Sequence, residues 1–167
     1  HKIKIVGLHS HMGSGIHYYK NWSNILVKMI KYIDYFNDLR WIDIGGGLGI
    51  DQEIDFDNLD TDIKLIKPEN IKIIMEPGRF IVAQSGILIG KVTQLKEKQG
   101  VKFIGTTIGM TDLIRPALYE AVHPVYFHFI DDTNKRAYKK QIVNVVGPIC
   151  ESGDVLIKNL QIDCDIR

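Results

Sequence analysis

Arg40-Trp41-Ile42-Asp43-Ile44, followed at once by Gly45-Gly46-Gly47-Leu48-Gly49, reads as a short apolar strand running into a glycine loop. The same form recurs on either side of it. Ile3 to His9 is β-branched and loosely alternating, and it leads into His9-Ser10-His11-Met12-Gly13-Ser14. Ile71 to Met75 is apolar and runs straight into Glu76-Pro77-Gly78-Arg79. Between the first two strands, Trp22, Ile25, Leu26, Met29, Ile30, Ile33 and Phe36 recur at spacings of three and four. That period predicts an amphipathic helix over about Tyr18 to Asn37, with Trp22 in the core. Between the second and third strands, Asp51 to Lys67 is acidic and poorly patterned. It reads as loop with one short helix around Thr61 to Lys67, ended by Pro68. Strand, helix, strand, loop or helix, strand is the βαβ rhythm of a parallel sheet. In each unit the polar loop lies at the C-terminal end of its strand, where α/β folds hold ligands whether the sheet is open or closed into a barrel.

After Arg79 the rhythm changes. Phe80 to Gln84 reads as a helical turn. Gly86 to Gln94, Val101 to Ile108, Val125 to Ile130 and Gln141 to Val146 read as strands with no long helix between them, and one more apolar run precedes Arg167. Lys96 to Gly100 and Asp131 to Arg136 read as polar, solvated turns. A boundary near Ser85 follows, with an α/β part over residues 1–85 and an antiparallel β part over 86–167.

The totals set limits. The 167 residues suffice for one domain or parts of two, and 45% hydrophobic with 25% charged content is that of an ordinary globular protein. A net charge of +1 provides no global field for nucleic acid or an anionic membrane. No apolar run reaches the roughly 18 residues of a membrane span, and the start has no signal-peptide pattern. Cys150 and Cys164 are expected as free thiols in a reducing, cytoplasm-like compartment, because a chain of this size has little need of a disulfide. The sequence opens on His1 inside an apolar run and closes just after another, so it reads as an internal piece of a longer polypeptide.

The clusters at the strand ends carry the chemistry. Glycines let several backbone N–H groups converge on an anion, and Gly45, Gly46 and Gly47 suit a small phosphate better than a dinucleotide; a tight turn is the plainer alternative. Glu76, fixed at a strand end, can hold the proton of a heteroaromatic ring nitrogen. Arg79 offers a planar fork to phosphate or carboxylate, and an internal Glu76–Arg79 pair is the alternative. His11 can stack on a flat cofactor. His9, His11, His17 and Cys150 lack zinc-ligand spacing, so no metal is expected. Arg115 and Tyr119 lie four apart, on one face of a helix that starts at Pro116, and can grip a carboxylate. Gly147-Pro148-Ile149-Cys150-Glu151-Ser152-Gly153-Asp154 puts a thiol beside a carboxylate in a glycine-closed turn. A cysteine so placed is more often a small buried residue than a reagent, and it gains weight only from the other clusters.

In this order, His-Ser-His-Met-Gly-Ser, the triple glycine, Glu-Pro-Gly-Arg with the following Val82 to Gly86, Leu113-Ile114-Arg115-Pro116-Ala117-Leu118-Tyr119 and Cys-Glu-Ser-Gly-Asp resemble the diaminopimelate decarboxylase family over the whole chain. These are fold type III, pyridoxal-phosphate-dependent decarboxylases with an alanine-racemase-like barrel. The resemblance implies that residues 1–85 are the last units of a TIM-like (β/α)8 barrel and residues 86–167 most of a C-terminal β domain. It implies pyridoxal 5'-phosphate as cofactor, bound by His11 against the ring, by Ser14, by Gly45, Gly46 and Gly47, and by Glu76, Pro77, Gly78 and Arg79, with Glu76 on the ring nitrogen. Arg79, Arg115 and Tyr119 would hold substrate carboxylates, Glu151 the distal ammonium, and Cys150 would return the proton that replaces carbon dioxide. Cys150 and Glu151 would reach the site of a partner subunit, making a homodimer with shared active sites. The implied substrate is a small amino acid, meso-2,6-diaminopimelate, and the product L-lysine. The family's cofactor-binding lysine has no counterpart here, so the piece alone is expected to be inactive. Thr106-Thr107-Ile108-Gly109 departs from the Val-Asp-Ala-Gly often found there. Decarboxylases of ornithine, arginine, lysine or carboxynorspermidine are the near rivals; Glu151 and Arg115 favour a substrate whose distal centre carries both amine and carboxylate. A non-catalytic regulatory homologue is the rival of another class.

Overall fold

The computed structural model describes residues 3–128 and 138–164; the expected turn at Asp131 to Arg136 and the end of the run at Val125 to Ile130 lie outside them. The chain divides into two compact units, His1–Ile87 and Leu88–Arg167.

The first unit is a parallel sheet covered by helices. Strands β1 (Gly7–His9), β2 (Trp41–Gly46) and β3 (Lys72–Glu76) lie side by side in that order, both pairs parallel. The β1 strand is shorter than the apolar run predicts, because Ile3, Ile5 and Val6 are exposed and only Gly7 onward pairs with β2. Helix α1 (Lys20–Ile30) carries the predicted stripe: Trp22 and Leu26 are fully buried, with Ile25 and Met29 beside them. The predicted helix ends early. Ile33–Tyr35 is a 3-10 turn, and Phe36 adopts an extended backbone.

Helix α2 (Phe56–Ile66) is a longer element than the short helix expected there. The carboxylate of Asp55 starts it by accepting the Asn58 N–H at 3.0 Å, a side-chain cap that satisfies one of the free amides of the first turn. Leu59 is its one buried residue, with Ile63 and Ile66 partly buried. Lys20 and Ser23 of α1 both donate to Asp62 of α2, at 2.9 Å and 2.7 Å, which fastens the two helices across the edge of the core. The core itself is Trp22, Leu26, Ile42, Ile44, Leu59 and Ile71 with their neighbours. A short helix α3 (Gly78–Val82) follows β3 directly.

The second unit is a four-stranded sheet in the order β4 (Val92–Lys98), β5 (Val101–Thr106), β6 (Tyr138–Val146), β7 (Val155–Cys164). The wholly antiparallel expectation is corrected: β4–β5 and β6–β7 are antiparallel, but β5–β6 is parallel. A parallel neighbour needs a crossover of about a dozen residues or more, and residues 107–137 supply it. Among the described residues of that crossover only α4 (Arg115–Tyr119) is regular, and residues 125–128 form no strand. The expected strand from Gly86 begins only at Val92, where pairing with Thr106 starts; Ile87 and Ile89 are left exposed. Lys96 to Lys98, read from sequence as turn, belong to β4. The turn is Gln99-Gly100 alone, both at positive φ (53° and 78°), the two-residue form that suits the twist of a hairpin. Every residue of β4 is exposed, and its charges guard an open sheet edge. Ile104, Val143 and Ile162 make a small core. The described residues form these two sheets and no closed barrel.

Candidate functional site

In the first unit, the loops after β1, β2 and β3 meet at the C-terminal end of the parallel sheet. The β1 and β2 loops run alongside each other: Ile16 N–H donates to the Gly47 carbonyl and Gly49 N–H to the Ile16 carbonyl, both at 2.8 Å. Gly47 sits at φ +81°, and a Cβ there would overlap the Gly13 carbonyl oxygen. A Cβ on Gly46 would likewise overlap the carbonyl oxygen of Glu76. The triple glycine thus lets three backbones close on one another. Two of its amides already have partners within the protein: Gly45 N–H donates to Asp43 Oδ1 at 2.8 Å, and Gly46 N–H to His11 Nδ1 at 3.2 Å. Trp22 Nε1 donates to the Gly46 carbonyl at 3.1 Å, so α1 holds the loop from below.

These bonds fix the exposed groups above the sheet. His11 Nδ1 accepts from Gly46, which orients an exposed ring and leaves Nε2 as a donor. Arg79, at the start of α3, donates from Nη2 to Ser14 Oγ at 3.2 Å, joining the β3 loop to the β1 loop. Arg79 Nε is buried without a partner. A guanidinium with an unmet donor beside a hydroxyl is a fitting receptor for an anionic oxygen, phosphate above all. Arg79 thus turns to Ser14, and the exposed Glu76 remains available to a ligand.

The sequence did not single out Asp43. It is 7% exposed, and its second oxygen lies 3.2 Å from His9 Nδ1. His9, Asp43 and Glu76 bring one ligand atom each within 4.8 Å of one another. Both Asp43 oxygens are already engaged, by Gly45 N–H and by His9. His17, the third histidine of the loop, pairs with Asp51 at 3.0 Å.

In the second unit, the Cys150 turn follows β6 and leads into β7. Cys150 is a free, exposed thiol; the Cys164 side chain lies outside the described residues. Glu151 is exposed, and its carboxyl is held below the ordinary glutamate range by the Ser152 hydroxyl first, then by the Gly153 and Ser152 amides. It is therefore anionic at neutral pH. The turn folds on Asp154, 2% exposed, whose Oδ2 accepts Ile149 N–H at 2.7 Å and whose Oδ1 accepts Met110 N–H at 2.6 Å. Met110 is the second residue of the Gly109–Asp112 turn, closed by Asp112 Oδ2 on Gly109 N–H at 3.0 Å. That turn feeds α4, with Pro116 in its first turn as the sequence predicts. Arg115 and Tyr119 lie at its two ends; Arg115 Nη1 is 3.4 Å from His123 Nε2, and Tyr119 is exposed. The Cys150–Glu151 and Arg115–Tyr119 groups thus share one support.

Comparison with known proteins gives the same family for both halves. The family model "Pyridoxal-dependent decarboxylase, C-terminal sheet domain" matches residues 18–167. Diaminopimelate decarboxylase of Aquifex aeolicus is 37% identical over 171 residues, covering 96% of this chain and 40% of the relative. The Escherichia coli enzyme of the same name is 33% identical, with 93% and 40% covered. Among solved structures, Helicobacter pylori diaminopimelate decarboxylase complexed with L-lysine is 32% identical with a TM-score of 0.80, over 95% of this chain and 40% of that one. The chain therefore spans about 40% of the length of the curated relatives it matches. A match that takes in the glycine loop, the Glu-Pro-Gly-Arg strand end and the Cys-Glu turn alike settles the family: this chain belongs to the pyridoxal-dependent decarboxylases.

Proposed function

We propose that the complete protein to which this chain belongs decarboxylates meso-2,6-diaminopimelate to L-lysine and carbon dioxide, the last step of lysine biosynthesis, using pyridoxal 5'-phosphate. One observation carries the substrate choice. Glu151 is kept anionic beside a free thiol, in a turn that Asp154 fastens to the turn opening the Arg115 helix. Anion and cation supported together suit a distal carbon bearing both ammonium and carboxylate.

The first unit suits the cofactor. Ser14 and Arg79, whose Nε lacks a protein partner, fit a phosphate, with Gly45, Gly46, Gly47, Pro77 and Gly78 shaping the loops around it. Glu76 would hold the proton on the ring nitrogen, and His11, oriented by Gly46, would lie against the ring. Bound there, pyridoxal phosphate supplies the electron sink for loss of the carboxyl group. Arg79, Arg115 and Tyr119 bind and orient the substrate carboxylates. Glu151 holds the distal ammonium. Cys150 gives its thiol proton to the α-carbon.

We assign residues 1–85 to the final βα units of a TIM-like barrel and residues 86–167 to most of the β domain. We also assign a homodimer in which Cys150 and Glu151 serve the partner's cofactor site. Exposed Ile87, Ile89, Val122 and Tyr126, between 78% and 89% accessible, support an unmet interface. A free thiol at Cys150 suits a reducing compartment. Growth complementation tests the assignment. The complete gene should restore growth without lysine to bacteria lacking diaminopimelate decarboxylase. Rescue of a polyamine auxotroph instead would move the substrate to ornithine, arginine or carboxynorspermidine.

A further inference from the structure

Asp154 has no place in the reaction just described, yet among the described residues it is the one buried charged side chain of its unit. At 2% exposed it has no ion-pair partner among the described residues. Its carboxylate faces main-chain amides instead: Oδ2 accepts Ile149 N–H at 2.7 Å, and Oδ1 accepts Met110 N–H at 2.6 Å. Its own main chain closes the loop that carries the thiol. Asp154 N–H donates to the Glu151 carbonyl, and Gly147 N–H donates to the Asp154 carbonyl, each at 3.0 Å. The surroundings are cut to the carboxylate. A Cβ on Gly109 would stand 2.6 Å from Oδ1, and one on Gly147 would overlap both oxygens. The two glycines leave a gap the size of this group, one on each arm that it joins.

A buried carboxylate is costly unless hydrogen bonds satisfy it, and backbone amides satisfy it without a counter-charge. Their directions are fixed by the chain, so the bonds fix the chain in turn. One arm runs from Gly147 through Ile149 to Cys150 and Glu151. The other runs from Gly109 through Met110 and Asp112 to Arg115. We infer that Asp154 is a positioning residue that locks the Cys150–Glu151 turn to the Arg115 turn, so that proton donor, ammonium site and carboxylate site keep one mutual spacing. The inference rests on the reading of Cys150, Glu151 and Arg115 given above. It adds that their alignment is set by one side chain that touches no substrate. Displacement of catalytic groups by about 1 Å is enough to cost about 100-fold in rate, so a lock of this kind matters.

The test uses the complete protein with bound pyridoxal phosphate and two variants. Asp154→Asn turns one acceptor into a donor that opposes an amide. Gly147→Ala pushes a methyl group into the carboxylate while leaving Asp154 chemically intact. Cofactor absorbance and the thermal transition report on the fold. Steady-state kcat and KM for meso-diaminopimelate report on alignment. The rate of Cys150 alkylation by iodoacetamide, followed on its peptide, reports on the turn without needing turnover. Both variants should keep cofactor and a cooperative melt, lose about 10- to 100-fold in kcat, raise KM, and alkylate at Cys150 several-fold faster or slower than wild type. Kinetics and alkylation within about twofold of wild type in both variants would overturn the inference. So would loss of cofactor and cooperative melting in both, which would make Asp154 a general support of the fold. A wild-type protein inert on diaminopimelate counts against the proposed reaction, and the alkylation rates then decide the role of Asp154 alone.

Discussion

Cys150 and Glu151 are neighbours in one turn with different proposed duties, and each can be tested separately. Cys150 is exposed and free, as the proposed proton donor at an active-site surface must be. Cys150→Ala should lower kcat by about 100- to 10,000-fold, the usual range for a lost general acid, while cofactor absorbance stays unchanged. The proposed role of Glu151 acts through charge. Its carboxyl lies below the ordinary glutamate value because Ser152 and the Gly153 amide hydrogen-bond its anion. A depressed carboxyl keeps its charge above the folded value and loses it as pH falls through that value. Binding of the distal ammonium should therefore be flat from pH 8 down to about 5 and fall only below the ordinary carboxylate range. Glu151→Gln should cost about 10- to 100-fold in kcat/KM and abolish that acid limb; a profile still falling with the same acid limb in the variant would assign the limb elsewhere. Asp43 was not singled out, and Asp154 was quoted only as the end of the Cys150 turn and given no role, for one physical reason. Each binds main-chain amides, and an amide has no residue-type signature. Asp43 sat inside an apolar run and Asp154 at a turn end, where carboxylates are usually solvated.

At the scale of elements, what was legible depended on how much apolar pattern an element carries. Helix α1 repeats its stripe for several turns and was read directly, as were β2 and β3 with their loops. Helix α2 buries only Leu59, so its period was lost among Asp57, Asp60 and Asp62, although Asp55 was there as a cap. The parallel β5–β6 pairing was illegible because register between distant strands depends on tertiary packing, and the described residues of the crossover between them hold only one short helix. Trp22 links the layers: its ring fills the core and its Nε1 holds the Gly46 carbonyl. Trp22→Phe should lower stability by about 1–3 kcal/mol, from a buried carbonyl left unpaired, and should weaken cofactor binding as the glycine loop loosens. Calorimetry and a cofactor titration check both. The α1–α2 joint is electrostatic. Asp62 is lowered chiefly by its bond from Lys20 and then by Ser23, so it stabilises above the unfolded carboxylate value and ceases to as pH falls through its folded value. Asp62→Asn should lower the melting temperature at pH 7, and the difference from wild type should vanish near pH 2.

At the scale of the whole molecule, the proposed function assigns a phosphate and ring receptor to the first unit, and a proton donor with two charged grips to the second. The proposed dimer with shared active sites makes a definite prediction for mixed subunits. The complete protein carrying Cys150→Ala and the complete protein carrying Arg79→Ala should each be nearly inactive. Unfolded, mixed and refolded together, they should recover roughly a quarter of wild-type activity, because half the dimers then contain one intact site. No recovery would place both half-sites in one subunit. The most direct test of the central claim is carbon dioxide release by the complete protein with pyridoxal phosphate, measured in parallel on meso-diaminopimelate, ornithine, arginine, lysine and carboxynorspermidine. The account predicts release from diaminopimelate alone, matched mole for mole by L-lysine. Release from a substrate lacking the distal carboxylate, or none from diaminopimelate despite bound cofactor, would contradict it.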